Sequence, residues 1–258
     1  MGKNKLRKFA DMAEFANVYQ YPFAALEREG FPYRGHWAEQ VFHNQNPIVL
    51  ELGCGKGEYT VGLARRFPER NFIGIDIKGA RMWTGAKEAL EQNIANAAFL
   101  RTSIELIDRF FAPGEVAELW ITFPDPQMKK VNKRLTGTRF LALYRRILAP
   151  DAIINLKTDS PFLYTYTRAM AATNALPLLA DTADLYGSGI ESDVLDIRTH
   201  YERQWLARGL TIKYLRFSLP ATEAPLCEPD IDIEFDTYRS YSRGVLQSPD
   251  TFQSPTAQ

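Results

Sequence analysis

From residue 47 onward, short apolar runs alternate with stretches in which apolar residues recur every three or four positions. The apolar runs lie at 48–52, 71–75, 98–100, 118–123 and 152–156. Each run is short and nearly continuous, as expected of strands that are covered on both faces. The stretches with helical spacing lie at 57–67, 79–95, 137–148 and 160–173. This alternation predicts a doubly wound α/β domain built on a mostly parallel sheet.

Different patterns flank this domain. Residues 1–46 begin with basic residues and continue with aromatic residues and prolines, which predicts a basic, aromatic arm with little regular structure. A last apolar run at 210–217 predicts one more strand, added late to the sheet and antiparallel to it. The domain therefore spans 47–218, and residues 219–258 form an acidic C-terminal extension. The end of that extension, 247–258, is rich in Ser, Pro, Thr and Gln and is predicted to be disordered.

Composition narrows the class of protein. A chain of 258 residues with 45% hydrophobic residues can bury one sizeable core. Lys and Arg together number 31, as do Asp and Glu, so the chain is not a globally basic nucleic-acid binder, although a local basic patch is compatible with this balance.

Cys54 and Cys227 lie far apart with no histidine near them in sequence, which predicts neither a disulfide nor a metal site and fits a reducing cytosol. No apolar run approaches the roughly 20 residues of a membrane span, and the N-terminus lacks the apolar core of a secretory signal. We therefore expect a cytoplasmic protein without a membrane or metal partner, as a monomer or a homodimer.

A glycine-rich loop joins the first strand of the domain to its first helix. Its sequence is Glu51-Leu52-Gly53-Cys54-Gly55-Lys56-Gly57, with glycines spaced G-x-G-x-G. Glycines allow a tight turn and close approach of a ligand to the backbone. Dinucleotide loops instead space their glycines G-x-G-x-x-G. The carboxylate of Glu51 would repel a pyrophosphate but attract an ammonium or sulfonium group.

A second acidic residue, Asp76, ends the second strand, 25 residues after Glu51. An acid at this place accepts hydrogen bonds from both hydroxyls of an adenosine ribose. The alternative is an N-cap for the helix at 79–95. Together, Glu51, the glycines and Asp76 resemble the S-adenosylmethionine site of class I methyltransferases. The resemblance implies a Rossmann-like, seven-stranded sheet, S-adenosylmethionine as methyl donor, and Ser103 near the adenine; by position alone Ser103 is equally well placed to cap a helix.

The fourth strand ends at a carboxylate held between two prolines, in the stretch Pro124-Asp125-Pro126. Ligands of doubly wound sheets gather at the carboxyl ends of the strands, so we expect Asp125 in the mouth of the active site, held stiffly by the prolines. The alternative is an ordinary turn. Seven basic residues and no acidic ones follow between 129 and 146. We expect phosphate contacts from the first four of them, Lys129, Lys130, Lys133 and Arg134. The alternative for such a run is a solvated helix face.

The same loop resembles the Pro-Asp-Pro, Lys-Lys signature of bacterial tRNA (guanine-N7)-methyltransferases. Two later stretches agree with that family in order and position, Lys157-Thr158-Asp159 and Thr199-His200-Tyr201-Glu202, and the resemblance covers residues 47–218. It implies that the methyl donor is contacted by Glu51, Asp76, Ser103 and Asp125, the last also being the catalytic residue. It further implies that the substrate guanosine is contacted by Lys129, Asp159, Thr199, His200, Tyr201 and Glu202. The chain departs from the family at Gln127, where the family usually has an aromatic residue.

The implied reaction is transfer of a methyl group to N7 of a guanine in the variable loop of tRNA. Guanine N7 carries a lone pair and no proton, so the reaction requires no general base. We therefore expect Asp125 to act as an orienting and electrostatic group. Three alternatives stay open from the sequence: a methyltransferase for another RNA or a small molecule, a non-catalytic protein that retains the donor pocket, and a nicotinamide oxidoreductase. The glycine spacing and Glu51 disfavour the last.

Overall fold

An eight-stranded sheet organises the chain in the computed structural model, which describes residues 2–190 and 194–238. The strands are β1 (Val18–Gln20), β2 (Ile48–Leu52), β3 (Asn71–Asp76), β4 (Ala97–Arg101), β5 (Val116–Thr122), β6 (Leu148–Thr158), β7 (Leu178–Thr182) and β8 (Lys213–Leu219). Their order across the sheet is β1-β4-β3-β2-β5-β6-β8-β7. The pairs from β1 to β6 are parallel, whereas β8 is antiparallel to both β6 and β7.

Helices cover both faces of this sheet. They are α1 (Gly2–Glu14), α2 (Phe23–Glu29), α3 (Glu58–Arg66), α4 (Gly79–Glu91), α5 (Thr138–Tyr144), α6 (Pro161–Thr173) and α7 (His200–Leu206), with short 3₁₀ helices at Ile104–Arg109 and Val131–Lys133 and a π-helical turn at Trp37–Val41. Successive residues of β2 enter different cores: Leu50 belongs to a cluster with Phe140 and Leu163, and Val49 to one with Val61. Because strand side chains alternate between faces, two such clusters mark a sheet buried on both sides.

The predicted doubly wound α/β fold is confirmed, and so is the late antiparallel strand, which is β8. The expected number of seven strands is wrong by one. The additional strand is β1, which pairs with the edge strand β4 and comes from the arm at 1–46.

The expectation that the arm has little regular structure is also wrong. It forms α1, β1 and α2, and it buries Phe31 and Trp37 in the main core, which is the cluster that contains Leu50. The indole nitrogen of Trp37 donates a hydrogen bond to the carbonyl of Phe110 at 2.9 Å. Phe31 and Tyr33 lie in or beside a turn, so the contribution of this part of the arm to the core does not show as a helix or strand period.

The C-terminal extension, as far as it is described, runs in irregular conformation from 220 to 238. Leu226 and Ile233 pack against the main core. The predicted disorder at 247–258 falls outside the described residues. Within the described part of the chain, no helix has the length and apolar character needed to cross a membrane.

Candidate active site

The carboxyl ends of β2, β5 and β6 meet at one edge of the sheet, where they border a cavity of about 520 Å³. Five of the predicted site residues line it, Gly53, Asp125, Lys133, Asp159 and Tyr201. They come from four separate parts of the chain. The parallel strands β2, β5 and β6 bring the first four together because their carboxyl ends lie at this edge, and α7 adds Tyr201.

The glycine loop has the backbone conformation that its sequence predicts. Gly53, Gly55 and Gly57 have φ angles of 78°, 56° and 74°, in the left-handed region that favours glycine. A side chain at Gly57 would lie 2.6 Å from the ring of Phe99, so this glycine is required by packing. A side chain at Gly53 would meet no atom within 4 Å, so the loop faces open space there. The loop therefore has room for a ligand beside Gly53.

Glu51 lies beneath this loop and is almost fully buried. Its carboxylate accepts hydrogen bonds from the backbone nitrogen and hydroxyl of Thr60, at 2.8 and 2.6 Å, and from the hydroxyl of Thr122 at 2.7 Å. Burial raises the pKa of Glu51 to about 7, against the opposing effect of the threonine hydrogen bonds. Glu51 thus joins α3, β2 and β5 around the loop, and its contact with a methyl donor stays a prediction.

Asp76 holds the other side of the loop. One carboxylate oxygen accepts from the backbone nitrogen of Gly55 at 3.0 Å and the other from that of Lys78 at 2.7 Å. The residue at the N-cap of α4 is Lys78, so Asp76 is not that cap. Ser103 does occupy the N-cap of a 3₁₀ helix, but its side chain makes no capping hydrogen bond.

Ser103 lines a second, mostly apolar cavity of about 440 Å³ rather than the first one. Ile77 lines this second cavity and its neighbour Lys78 lines the first, so the two cavities adjoin across the end of β3. The arm contributes Tyr21 and Phe23 to its wall. Sequence reasoning missed this contribution because the arm was expected to be irregular.

The loop after β5 presents Asp125 to solvent at the cavity. The carboxylate accepts a hydrogen bond from the backbone nitrogen of Gln127 at 3.1 Å. Phe123 and Gln127 flank it with φ angles of 50° and 48°. Non-glycine residues rarely adopt this conformation, and such strained positions cluster at functional sites.

Arg134 holds this loop from within the protein, which is at odds with the phosphate contact predicted for it. It is 8% exposed, and its guanidinium donates to the carbonyls of Gln127 at 3.2 Å and Met128 at 2.7 Å. The same group stacks over the ring of Tyr166 at 4.4 Å. A guanidinium with these contacts is not presented to a phosphate, so we assign Arg134 to holding the loop.

The three lysines of the basic cluster are exposed, in contrast to Arg134. Lys133 lines the cavity and forms an ion pair with Glu105 at 2.5 Å, and this hydrogen bond lowers the pKa of Glu105. Lys129 and Lys130 lie on the same loop outside the cavity. The cluster therefore forms a basic rim beside Asp125.

A buried ion pair connects β6 to α7. The ammonium of Lys157 lies 2.8 Å from the carboxylate of Glu202, and neither side chain has exposed area. Lys157 also donates to the carbonyl of Leu195 at 2.9 Å. Burial lowers the pKa of Lys157, and the charge of Glu202 offsets part of that effect. This pair fixes α7 against the end of β6.

Thr199 and Glu202 therefore occupy positions unlike those expected of substrate contacts. The hydroxyl of Thr199 accepts from the backbone nitrogen of Glu202 at 3.1 Å, and the Glu202 carboxylate accepts from the backbone nitrogen of Thr199 at 3.2 Å. This is a capping box that starts α7. The backbone N–H of His200 donates a hydrogen bond to the carboxylate of Glu58 at 2.9 Å, and His200 does not line the cavity. Of the four predicted residues, Tyr201 alone is brought to the cavity, together with Trp205 from the next turn.

Asp159 follows Lys157 at the end of β6 and is completely buried although it borders the cavity. The hydroxyl of Tyr238 donates a hydrogen bond to its carboxylate at 2.5 Å. Sequence reasoning also missed Lys78 and Arg81 in the cavity wall. Lys78 and Arg81 could have been predicted because they follow Asp76 closely in the sequence, whereas no sequence feature points to Tyr238. In the described residues, no group of three or more His, Cys, Asp or Glu side chains is placed to hold a metal ion.

A family model described as "Putative methyltransferase" matches residues 45–215. The chain is 65% identical to the tRNA (guanine-N(7)-)-methyltransferase of Porphyromonas gingivalis, over 90% of this chain and 96% of that protein. It is 60% identical to the protein of the same name from Bacteroides fragilis, over 94% of this chain and 96% of that one. A protein of that name from Listeria monocytogenes is 33% identical over 76% of this chain and 94% of its own length.

Solved structures with similar folds are more distant in sequence. The 16S rRNA methyltransferase KamB superimposes with a TM-score of 0.53 at 16% identity, covering 78% of this chain and 95% of that one. A 16S rRNA (adenine(1408)-N(1))-methyltransferase from Catenulisporales acidiphilia, crystallised with its cosubstrate SAM, gives 0.53 at 17% identity, covering 74% and 93%. These likenesses support the fold alone. The sequence matches over most of the chain go further: this protein belongs to the bacterial tRNA (guanine-N7)-methyltransferase family.

Proposed function

We propose that this protein transfers a methyl group from S-adenosylmethionine to N7 of a guanine in the variable loop of tRNA. The observation that carries the proposal is one cavity at the strand ends, bordered by the glycine loop, by Asp125 and Asp159, and by a basic rim. The names of the curated relatives support the same reaction. The proposal also implies a cytoplasmic protein, because tRNA is a cytoplasmic molecule.

The residues around the glycine loop fit the methyl donor. The open space beside Gly53 admits a ligand against the backbone, and Asp76 is the acid that would accept hydrogen bonds from ribose hydroxyls. The apolar cavity at Ile77 and Ser103 suits an adenine. When bound, S-adenosylmethionine supplies an electrophilic methyl group on a positively charged sulfur. The negatively charged carboxylate of Asp125 would attract that positive charge.

Asp125 and Asp159 are the groups of this chain that would meet the guanine. Methylation leaves positive charge on the purine ring, and carboxylates stabilise that charge as it develops. Carboxylates also accept hydrogen bonds from N1–H and from the exocyclic amino group of guanine. Since N7 has no proton to remove, neither residue acts as a base. Tyr201 and Trp205 add flat apolar surface to the same cavity.

The basic rim suits an RNA substrate. Lysines position a nucleic acid through its phosphates without reading its sequence. Lys129 and Lys130 are exposed beside Asp125, and Lys133 reaches the cavity itself. Guanine N7 faces the deep, narrow major groove of an A-form helix, so an enzyme reaches it more readily in a loop. A variable-loop guanine meets that requirement.

The test is incubation with labelled S-adenosylmethionine and unmodified tRNA, followed by mapping of the labelled base. We expect label at N7 of one variable-loop guanine, and its loss when that guanine is replaced. The matched control is a tRNA already methylated at that position. Label in another RNA, in small acceptors only, or in none would contradict the proposal.

A further inference from the structure

The C-terminal extension is held to the domain at several points before it reaches the cavity. The backbone of Cys227 exchanges two hydrogen bonds with the side chain of Asn174, at 2.7 and 2.9 Å. Glu228 accepts from the backbone nitrogen and hydroxyl of Thr138, at 3.1 and 2.6 Å, and from the hydroxyl of Tyr166. These contacts join the extension to α5 and α6, so it is packed against the domain.

The final anchor lies next to the proposed acceptor site. Asp236 accepts a hydrogen bond from the backbone nitrogen of Phe162 at 3.0 Å and another from the hydroxyl of Ser160. Ser160 is the N-cap of α6 and follows Asp159 directly in the chain. A carboxylate at a helix N-terminus is stabilised by the unpaired backbone N–H groups there. The extension is thereby fixed one residue away from Asp159.

This anchor brings Tyr238 into contact with two residues of the cavity wall, Asp159 and Trp205. Its hydroxyl lies 2.5 Å from one carboxylate oxygen of Asp159, and its ring meets the ring of Trp205 edge to face, with centroids 5.3 Å apart. Asp159 has no exposed area, so its direction is set by its neighbours. A hydrogen bond to a charged group is among the stronger polar interactions in proteins.

We propose that Tyr238 is a positioning residue for the acceptor base, which it serves by orienting the carboxylate of Asp159. The inference rests on the proposed function, in which Asp159 meets the guanine. A carboxylate has about four lone-pair sites on its two oxygens, so it can accept hydrogen bonds from more than one donor at a time. The hydrogen bonds of Glu228 and Asp236 hold the extension to α5 and α6, which favours a fixed support for Asp159 over a segment that the substrate must displace.

The test compares Tyr238→Phe with wild-type protein in steady-state methyl transfer to unmodified tRNA. We expect kcat/KM for tRNA to fall roughly tenfold, while binding of S-adenosylhomocysteine stays unchanged. Tyr164→Phe is the matched control, because the Tyr164 hydroxyl also donates to a carboxylate at 2.5 Å, that of Asp181, away from the cavity. Tyr164→Phe should leave kcat/KM unchanged.

A second comparison asks whether Tyr238 acts through Asp159. In an Asp159→Asn background, Tyr238→Phe should cause little further loss, because coupled residues are not additive. An equal loss in both backgrounds would overturn the proposal, as would unchanged kcat/KM in Tyr238→Phe or a parallel loss of donor binding. A lower KM for tRNA would overturn it by identifying the hydroxyl as a competitor of the base. Wild-type protein that methylates no tRNA would instead overturn the proposed function.

Discussion

At the scale of single residues, the carboxylates of the site differ in their surroundings. Asp125 is exposed at the cavity, whereas Glu51 and Asp159 are buried. Asp125 is therefore the most accessible of these three acids to an entering substrate. Glu51 is occupied by three hydrogen bonds from threonines and belongs to the framework of the loop.

Replacing Asp125 by Asn keeps its shape and removes its charge. We expect the single-turnover rate of methyl transfer to tRNA to fall by about 10²-fold, as for loss of one electrostatic group in other active sites. Asp232→Asn, at an exposed position of the extension, is the matched control and should keep the wild-type rate. A wild-type rate in Asp125→Asn would contradict the assigned role.

Glu51 should make stability depend on pH. Its pKa is raised to about 7 in the folded protein, so the folded state binds more protons than the unfolded state between the two pKa values. The stability from Glu51 is therefore full at low pH and is lost as pH rises through about 7, by up to about 3 kcal/mol. Glu51→Gln should flatten this slope in urea unfolding measured between about pH 5 and 8. Identical slopes for both proteins would rule the prediction out.

At the scale of elements, α7 reaches the cavity because a buried ion pair fixes it. Lys157 leaves the end of β6 toward α7, and Glu202 both meets its charge and closes the capping box of α7. The first turn of α7 then presents Tyr201 to the cavity. Thr199 and Glu202 thus place Tyr201 at the cavity by starting the helix that carries it.

Breaking the Lys157–Glu202 ion pair should lower the free energy of unfolding. Glu202→Gln retains a capping side chain but leaves Lys157 buried without its counter-charge, which we expect to destabilise the fold by about 3–5 kcal/mol. Glu27→Gln is the control, because Glu27 pairs with Arg109 at the surface, where such a pair contributes at most about 1 kcal/mol. Urea unfolding measures both. The double variant Lys157→Met with Glu202→Gln should be less destabilised than the sum of its parts, and simple additivity would argue against the coupling.

At the scale of the whole molecule, charge is distributed unevenly although the formal net charge is zero. The loop at 129–134 carries its basic residues to one side of the cavity, and acidic residues of the extension hold α5 and α6 behind it. Such separation lets a neutral protein present a basic rim to RNA.

The salt dependence of tRNA binding should separate rim residues from Arg134. Each of Lys129→Ala and Lys130→Ala should reduce the slope of log affinity against log salt by about 0.7–0.9 if that lysine contacts a phosphate. Arg134→Lys should lower the transfer rate and the stability while leaving the slope unchanged, because its contacts are to carbonyls within the loop. A slope reduced by Arg134→Lys but not by the lysine variants would reverse these assignments.

The sequence by itself determined the α/β alternation, the glycine loop, and the carboxylates at 76 and 125, because strand ends and glycines can be recognised from local sequence. Asp159 was predicted from the family resemblance. The tertiary structure alone decided which charged groups face the cavity. Arg134 and Lys133 are neighbours in one basic run, yet the first is buried by aromatic rings and backbone carbonyls and the second is exposed. Tyr238 reaches Asp159 across 79 residues of sequence. Burial and long-range contact depend on how the elements pack, and no local pattern of residues encodes that packing.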